Sequence, residues 1–442
     1  MDFLIFYEHV NREIENVTLV KKELEKRGYT CDIVSFNGPY LHKYHKKKNR
    51  ARVVVTPWLR YDINVATYLP FAKKGYKIVN LQWEQVYNKV GVASGLVTVS
   101  GEAKKAYHMC WGENSRARLE EYGVAKENLA IVGAVQQDYG RPLLSDYYFS
   151  RDEIAEKFNL NNDKKWVLFV SSFSWANYPE DALKALYEKY GEFVYKNNKM
   201  HRTSQLATFA WIEELLQKSD NEFIYRPHPS EVKALAAELD VIREKYPHFH
   251  VISDLSVKQW AKVSDKVNLW ISTSNAEIAS LGVDYNIVRP CDIGEDAEVE
   301  SMRGEEFVTD LDTFIKLNTD FSDESKERVK RRLEGLSHFY NYDPSRAAYE
   351  RIADYLEEVY KSERVQKFKF PFKKNLDFKI KNLKKITVSR CVERQLANPE
   401  KNIVDKSHFK KVIKENMHKT IKKYKTMMET QNRMSEYIDN HG

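Results

Sequence analysis

Cysteine is scarce in this chain. Four residues, Cys31, Cys110, Cys291 and Cys391, are scattered through 442. They show neither metal-ligand spacing nor a paired framework, so a disulfide-stapled or zinc-built fold is excluded and a reducing cytoplasm is the expected setting. Long apolar runs are missing as well: no stretch approaches the roughly 18 consecutive apolar residues of a membrane-spanning helix. The opening Met1-Asp2-Phe3-Leu4-Ile5-Phe6 has neither the basic flank nor the long apolar core of a secretory leader. The one Asp-x-Asp, Asp310-Leu311-Asp312, reads more simply as a helix start than as a metal-bridged diphosphate site. No metal ligand is therefore expected.

Basic charge is nearly absent from the body of the chain as an excess. Residues 361–442 hold 22 Lys and Arg against 9 Asp and Glu, while the other 360 residues hold 49 against 55, so the net +7 comes from the C-terminal segment alone. A mildly acidic body argues against a nucleic-acid partner.

What is present is repeated alternation of apolar runs with helical patterns. Strands are expected over 3–7, 30–36, 52–56, 76–81, 96–100 and 129–133, with helices over 11–27, 62–74, 101–108 and 113–122 between them. A polar break at 136–142 and 159–165 interrupts the series. It resumes with strands over 166–170, 222–225, 250–252, 267–271 and 284–288. Helices are expected over 181–218, 230–246, 257–263, 274–281 and much of 322–360. Alternation at this spacing predicts parallel sheets covered on both faces, and the length allows two such domains and an appendage. The division expected is 1–145, 146–320, a closing helical region at 321–361, and a basic amphipathic extension at 362–442.

Two strand-to-helix corners carry the candidate site. Arg226-Pro227-His228-Pro229-Ser230-Glu231 follows one apolar run, and Ser272-Thr273-Ser274 with Glu277 follows another. In an open parallel sheet such corners line up along the carboxyl edge, where ligands bind. Arg226, His228, Ser230, Ser272, Thr273 and Ser274 are donors suited to a phosphate, and helix starts suit it further. The same residues would also serve as ordinary helix caps.

The first of these stretches resembles the His-Pro motif of GT-B glycosyltransferases that build bacterial surface polysaccharides. That group includes transferases using CMP-activated acidic sugars (Kdo and sialic-acid types) and CDP-polyol phosphotransferases of teichoic-acid synthesis. Ser272-Thr273-Ser274 resembles their second motif, a hydroxyl pair after a later strand. Trp111-Gly112-Glu113 and Val132-Gly133-Ala134-Val135-Gln136-Gln137-Asp138 resemble the interdomain stretch of surface-carbohydrate biosynthesis proteins. The likeness covers roughly residues 75 to 300, and its motifs are short.

The resemblance implies a GT-B fold: two Rossmann-like α/β domains facing a cleft, here with a basic C-terminal extension. It implies that His228 and the hydroxyls hold the donor phosphate, with Arg226, Pro229, Ser230, Ser171 and Ser172 beside it. It places Glu277 on the nucleotide ribose and Ser253 and Asp254 near the base. A solvated helix face for Glu277 and plain turns for the serines fit these positions as well. One departure concerns the CDP-polyol enzymes, which carry a His-Gly motif in the first domain. The only His-Gly here is His441-Gly442, which favours sugar transfer over polyol-phosphate transfer.

On the acceptor side, Gln82-Trp83-Glu84-Gln85 ends the fourth strand. Glu84 is the candidate catalytic carboxylate, as base or nucleophile, and Gln85 a candidate acceptor contact. Glu8, His9 and Arg12 form a second polar group at the first strand's end, and a helix start rich in caps would look the same.

In the extension, Phe368, Phe370, Phe372, Phe378 and Ile380 alternate with lysines, and Phe409, Val412, Ile413, Met417, Ile421 and Tyr424 recur at helical spacing. Such a segment suits an anionic inner-membrane surface or, equally, a helix packed on the body or on a second copy.

The expected function is transfer of a sugar, preferably a CMP-linked acidic one, from a nucleotide donor to a surface-polysaccharide or lipid-linked glycan acceptor. No cofactor beyond the donor is expected, and homo-oligomerisation stays open. The rival reading is a catalytically inactive GT-B-like scaffold.

Overall fold

A computed structural model describes residues 1–442 except 37, 94, 96, 234, 323–325, 371 and 399–409. The chain forms two compact units. Met1–Gln85, Val97–Asp138 and Ser337–Gly442 make the first; Val86–Leu96 and Tyr139–Leu336 make the second.

The first unit is built on β1 (Phe3–Phe6), β2 (Cys31–Val34), β3 (Ala51–Thr56), β4 (Ala72–Asn80), β5 (Tyr107–Cys110) and β6 (Leu129–Ile131). Their order is β2-β1-β3-β4-β5-β6, with every pair parallel. A parallel sheet has helices on both faces, so its central strands must be apolar throughout. Phe3 to Phe6 and Val53 to Val55 accordingly have no exposed surface. The Val10–Lys26 helix buries Ile14, Val17, Val20 and Leu24, and the Ala348–Lys361 helix buries Ile352, Leu356 and Val359, spacings that keep one helical stripe apolar.

Two sequence expectations fail here. No strand forms over 97–100, residue 96 lying outside the described residues, and the expected helix over 101–108 is a 3-10 turn (Gly101–Lys105) followed by β5. A histidine in the middle of a short run hides β5. His108 is fully buried, yet its Nε2 sits 2.9 Å from the Ala103 carbonyl and its Nδ1 3.1 Å from Asn80 Nδ2. Both ring nitrogens are satisfied, and a polar residue then costs the core little.

The second unit is built on β7 (Trp166–Val170), β8 (Glu222–Arg226), β9 (Phe249–Val251), β10 (Lys266–Leu269), β11 (Asn286–Val288) and β12 (Phe307–Val308). The order β12-β11-β10-β7-β8-β9 is again all parallel. Strand order reverses between β7 and β10, which makes that junction the crevice where open sheets take ligands. β12 has two residues and no sequence signal. The helical region expected at 181–218 is two helices, Glu180–Tyr190 and Phe193–Lys218, broken at Gly191, whose φ is +68°. The helix expected from 230 starts only at Glu238 after a single 3-10 turn, Glu231–Lys233, and the helix after β10 has six residues, Asn275–Ser280. The helix-dipole argument for phosphate therefore does not apply at either corner. Asp310 does cap a helix: its side chain accepts from the Thr313 amide at 2.8 Å.

The C-terminal segment packs into the first unit. Gln366 is buried; its Oε1 accepts from the Ile78 amide at 2.6 Å, and its Nε2 donates to Ile78 and Lys105 carbonyls at 3.3 and 3.1 Å. It supplies the ladder hydrogen bonds that β5 is too short to give Ile78. Phe368 stacks on Tyr76 and Phe370 meets buried Phe378. The Lys410–His441 helix buries Met417, Met427 and Met434, with Asp439 paired to Lys22 at 2.5 Å. Ile380 and Leu383 stay exposed, and Phe409 lies outside the described residues. Among the described residues no helix is long and apolar enough to cross a membrane.

Candidate functional site

Register decides what meets at the edge of the second sheet. Val170 pairs with Arg226 and with Leu269, and Tyr225 pairs with Val251. The segments that follow β7, β8, β9 and β10 therefore leave the sheet at one level, and most of the donor-side candidates lie on them.

Glu231 ties two of these segments together. It is 3% exposed. Its Oε2 accepts the Ser171 hydroxyl at 2.6 Å and the His228 amide at 3.1 Å, and its Oε1 accepts the Tyr225 hydroxyl at 3.0 Å. Burial pushes this carboxyl up, against the pull of the Ser171, His228 and Tyr225 hydrogen bonds. In sequence, a buried bracing glutamate and a solvated one at a helix start are indistinguishable before register is known. Ser171, expected beside the donor, is buried and gives its proton to Glu231, so it braces the site from within.

His228 is half-buried. The Ser230 amide donates to its Nδ1 at 3.2 Å, and Ser230 Oγ lies 2.6 Å from the same nitrogen. A nitrogen that accepts from a backbone amide carries no proton, so the neutral ring holds its hydrogen on Nε2. Ser230 thus orients the histidine, and Pro229 is exposed beside it.

Arg226 ends β8 and is 5% exposed. Burial lowers its guanidinium to about 10, opposed by the charges of Glu277 and Asp254. One Nη donates to the carbonyl of Leu255, and Nε is buried with no partner. Leu255 has φ +63°, a conformation that costs a side-chain-bearing residue on the order of 1–3 kcal/mol; it turns the segment after β9 so that its carbonyl reaches Arg226. A buried cation with an unsatisfied N–H is costly unless something else meets it.

The hydroxyl cluster after β10 is half-exposed. Ser272 Oγ accepts from the Ser274 amide at 3.3 Å. Ser274 precedes the Asn275–Ser280 helix and makes no side-chain cap, so capping does not explain it. The hydroxyls of Ser172, Thr273 and Ser274 have no partner among the described residues.

His201, on the Phe193–Lys218 helix, was not foreseen. It is buried edge-on to Trp270 with ring centroids 4.8 Å apart, and its Nδ1 has no partner. Burial, with the charge of His228, holds it down to about 3. Ser204, Gln205 and Thr208 are buried on the same helix. Polar residues at 201, 204, 205 and 208 follow the helical spacing normally kept for an apolar stripe, and that was the available signal.

The first unit gathers the other candidates. Arg12 donates to Glu13 Oε1 at 2.9 Å and sits 3.5 Å from Glu84 Oε2. Glu13 is fully buried and also accepts the Glu8 amide at 2.8 Å; it caps the helix start that carries Glu8, His9 and Arg12. His9 Nε2 lies 3.9 Å from Glu8 Oε2. Glu84 is exposed. It follows Gln82, whose φ of +50° is another strained turn at a strand's carboxyl end. Gln85 does not fit its expected acceptor role. It is buried, its Nε2 donates to Leu81, Gln82 and Met109 carbonyls, and its Oε1 accepts the Trp111 amide at 2.8 Å. Both polar atoms of its side chain are used inside the unit.

No family model and no curated protein sequence matches the chain. Solved structures do. One is the UDP-GlcNAc 2-epimerase of Methanocaldococcus jannaschii in complex with UDP-GlcNAc and UDP: 14% identity, 81% of this chain and all of that chain covered, TM-score 0.51. Another is the wall teichoic acid polymerase TagF: 13% identity, 81% and 89% covered, TM-score 0.51. At such identities the likeness establishes the fold alone: the two parallel α/β units are the Rossmann-like pair of the GT-B fold.

Proposed function

We propose that this protein is a metal-independent glycosyltransferase that takes a sugar from a nucleotide donor bound at the carboxyl edge of the second sheet. The observation that carries this is Arg226, a buried cation whose Nε lacks a partner, next to a histidine oriented with its proton on Nε2. When the sugar–phosphate bond breaks, its electron pair passes to the phosphate, and fixed donors aimed at that charge are what the protein can contribute. In this reading Arg226, His228, Thr273 and Ser274 supply them, with Ser172 at the same edge, and Glu277 is the contact to the nucleotide ribose. Glu84 takes the proton of the attacking acceptor hydroxyl, and Arg12 holds that carboxylate in place.

The preferred donor is a CMP-linked acidic sugar, whose carboxylate adds a second anion for the basic residues here. The absence of His-Gly from residues 1–145 supports sugar over polyol phosphate. The fold likeness to a teichoic acid polymerase keeps CDP-polyol phosphate transfer as the second reading. The acceptor would be a surface-polysaccharide or lipid-linked glycan on the cytoplasmic side of the cell membrane. Phe368, Phe370 and Phe378 pack into the first unit, so attraction to an anionic bilayer would rest on the lysines of 362–442 with exposed Ile380 and Leu383.

Calorimetry with CMP, CDP, UDP and GDP on the wild type and His228→Ala tests this. Binding of CMP above the others, lost in the variant, supports the acidic-sugar transferase. Preference for CDP selects the polyol reading, and preference for UDP or GDP keeps a transferase with another donor. Absence of any nucleotide binding overturns the proposal in favour of a scaffold.

A further inference from the structure

The first unit holds a cavity of about 260 Å³ that none of the candidate site residues above lines. It lies at the carboxyl ends of β1 and β2. Tyr7, directly after β1, and the segment after β2, with Ser35 and Tyr40, line it. The Leu41–His45 helix adds Lys43 and Tyr44, and the C-terminal Lys410–His441 helix closes it with Tyr424, Met427, Met428 and Gln431. The basic extension is therefore part of a binding wall on the ligand edge of this sheet.

The lining is specific in its chemistry. Among the described lining residues, Asp32 and Lys43 are the charged side chains. Lys43 is already compensated: its Nζ lies 3.9 Å from the Tyr40 ring centroid and 3.4 Å from Glu393 Oε1. The cavity thus offers no free cation to a phosphate, and its carboxylate, Asp32, already accepts the Tyr44 hydroxyl at 3.1 Å. Phenols, a carboxylate and an amide make it too polar for an acyl chain. What matches is a ligand with apolar faces for tyrosine rings and thioethers and with hydroxyls that both donate and accept around its rim. The volume lies below the roughly 300–1,000 Å³ of drug-sized sites, room for about one ring.

The walls are held in place at a cost. Tyr40 has φ +68°, which a tyrosine adopts only when its surroundings impose it. Its ring meets Tyr424 edge-on at 5.8 Å, which couples the strained turn to the C-terminal helix. Tyr44 donates its hydroxyl to Asp32 Oδ2 at 3.1 Å, and burial pushes the Tyr7 phenol up.

The geometry points to a binding site for a single neutral sugar residue, built jointly by the β2 segment and the C-terminal helix. Given the glycosyltransferase reading, on which this role rests, it engages one unit of the acceptor glycan and sets which glycan is extended.

The full-length protein is titrated by saturation-transfer NMR with the methyl glycosides of glucose, galactose and N-acetylglucosamine, and with inorganic phosphate and phosphocholine as charged probes. At least one methyl glycoside binds, and the charged probes do not compete with it. Met428→Trp, which fills the cavity, weakens it at least tenfold. Tyr44→Phe, which keeps the ring and removes the hydroxyl, weakens it severalfold with an unchanged melting temperature. CMP binding is measured in parallel. Sugar binding without nucleotide binding removes the transferase reading and leaves the site; nucleotide binding without sugar binding does the reverse. If no methyl glycoside binds, if binding survives Met428→Trp, or if a charged probe displaces the sugar, the inference is overturned.

Discussion

Glu231 Oε2 lies 2.6 Å from Ser171 Oγ, and this hydrogen bond joins the segment after β7 to the segment after β8. The same oxygen holds the His228 amide, so the candidate phosphate-binding histidine is placed by a carboxylate it never touches with its ring. Glu231→Ala leaves the buried Ser171 hydroxyl and the His228 amide without this acceptor, and the Tyr225 hydroxyl with Ser171 Oγ alone. The expected cost is about 2–4 kcal/mol in urea unfolding, with nucleotide affinity falling at least tenfold in calorimetry. Glu231→Gln keeps an acceptor oxygen and loses less on both counts. Equal nucleotide affinity in wild type and Glu231→Ala would separate the brace from the site.

The two buried histidines make stability depend on pH. Burial lowers His108 to about 4 and His201 to about 3, against about 6.5 in an unfolded chain. Between these values the unfolded chain binds protons that the folded chain does not. The stability they contribute is complete above pH about 6.5 and is lost as pH falls toward the folded values, at about 1.4 kcal/mol per pH unit for each histidine. Urea titrations at pH 5, 6 and 7 read that slope. In His201→Phe, which keeps an aromatic ring against Trp270, the contribution of the second unit disappears and that of His108 stays.

What was legible in the sequence follows from where single residues carry the signal. Runs such as Trp166–Val170 are apolar throughout because helices cover both faces, so ten of the twelve strands among the described residues were readable without tertiary information. Arg226 and His228 stood out because two prolines end a strand there. Glu231, Glu13 and His201 did not, since a buried brace and a solvated polar residue look alike until register brings partners to them. Backbone strain was silent too. Among the described residues, Tyr40, Gln82 and Leu255 are the side-chain-bearing residues other than asparagine with positive φ. All three follow the carboxyl end of a strand, after β2, β4 and β9, where the candidate ligand contacts lie.

The role proposed for Glu84 is one that binding cannot reveal. It is exposed and paired with Arg12 at 3.5 Å, so Glu84→Gln should leave folding unchanged, surface pairs being worth about 0–1 kcal/mol. Nucleotide affinity, proposed to reside in the second unit, should also stay the same. Sugar transfer should fall by about 10²–10⁴-fold, the usual contribution of a general base. A transfer rate within a factor of three of wild type would remove Glu84 from the chemistry and leave it a surface partner of Arg12.

The C-terminal segment should behave as part of the first unit's core. Gln366 fills the hydrogen-bonding positions of Ile78 and reaches the Lys105 carbonyl. Gln366→Ala leaves a buried amide and two carbonyls unpaired, a loss of about 1–3 kcal/mol. Gln366→Glu should be worse, because it replaces the amide donor with an acceptor facing two carbonyls. Thermal melts of both variants give the order. Were the segment an independent membrane anchor, neither change would move the melting temperature, and binding to anionic vesicles would persist in high salt. With Phe368 and Phe378 packed inside, vesicle binding should come mainly from exposed lysines, with Ile380 and Leu383 the exposed apolar side chains, and screening to a Debye length of about 3 Å at 1 M salt should weaken it sharply.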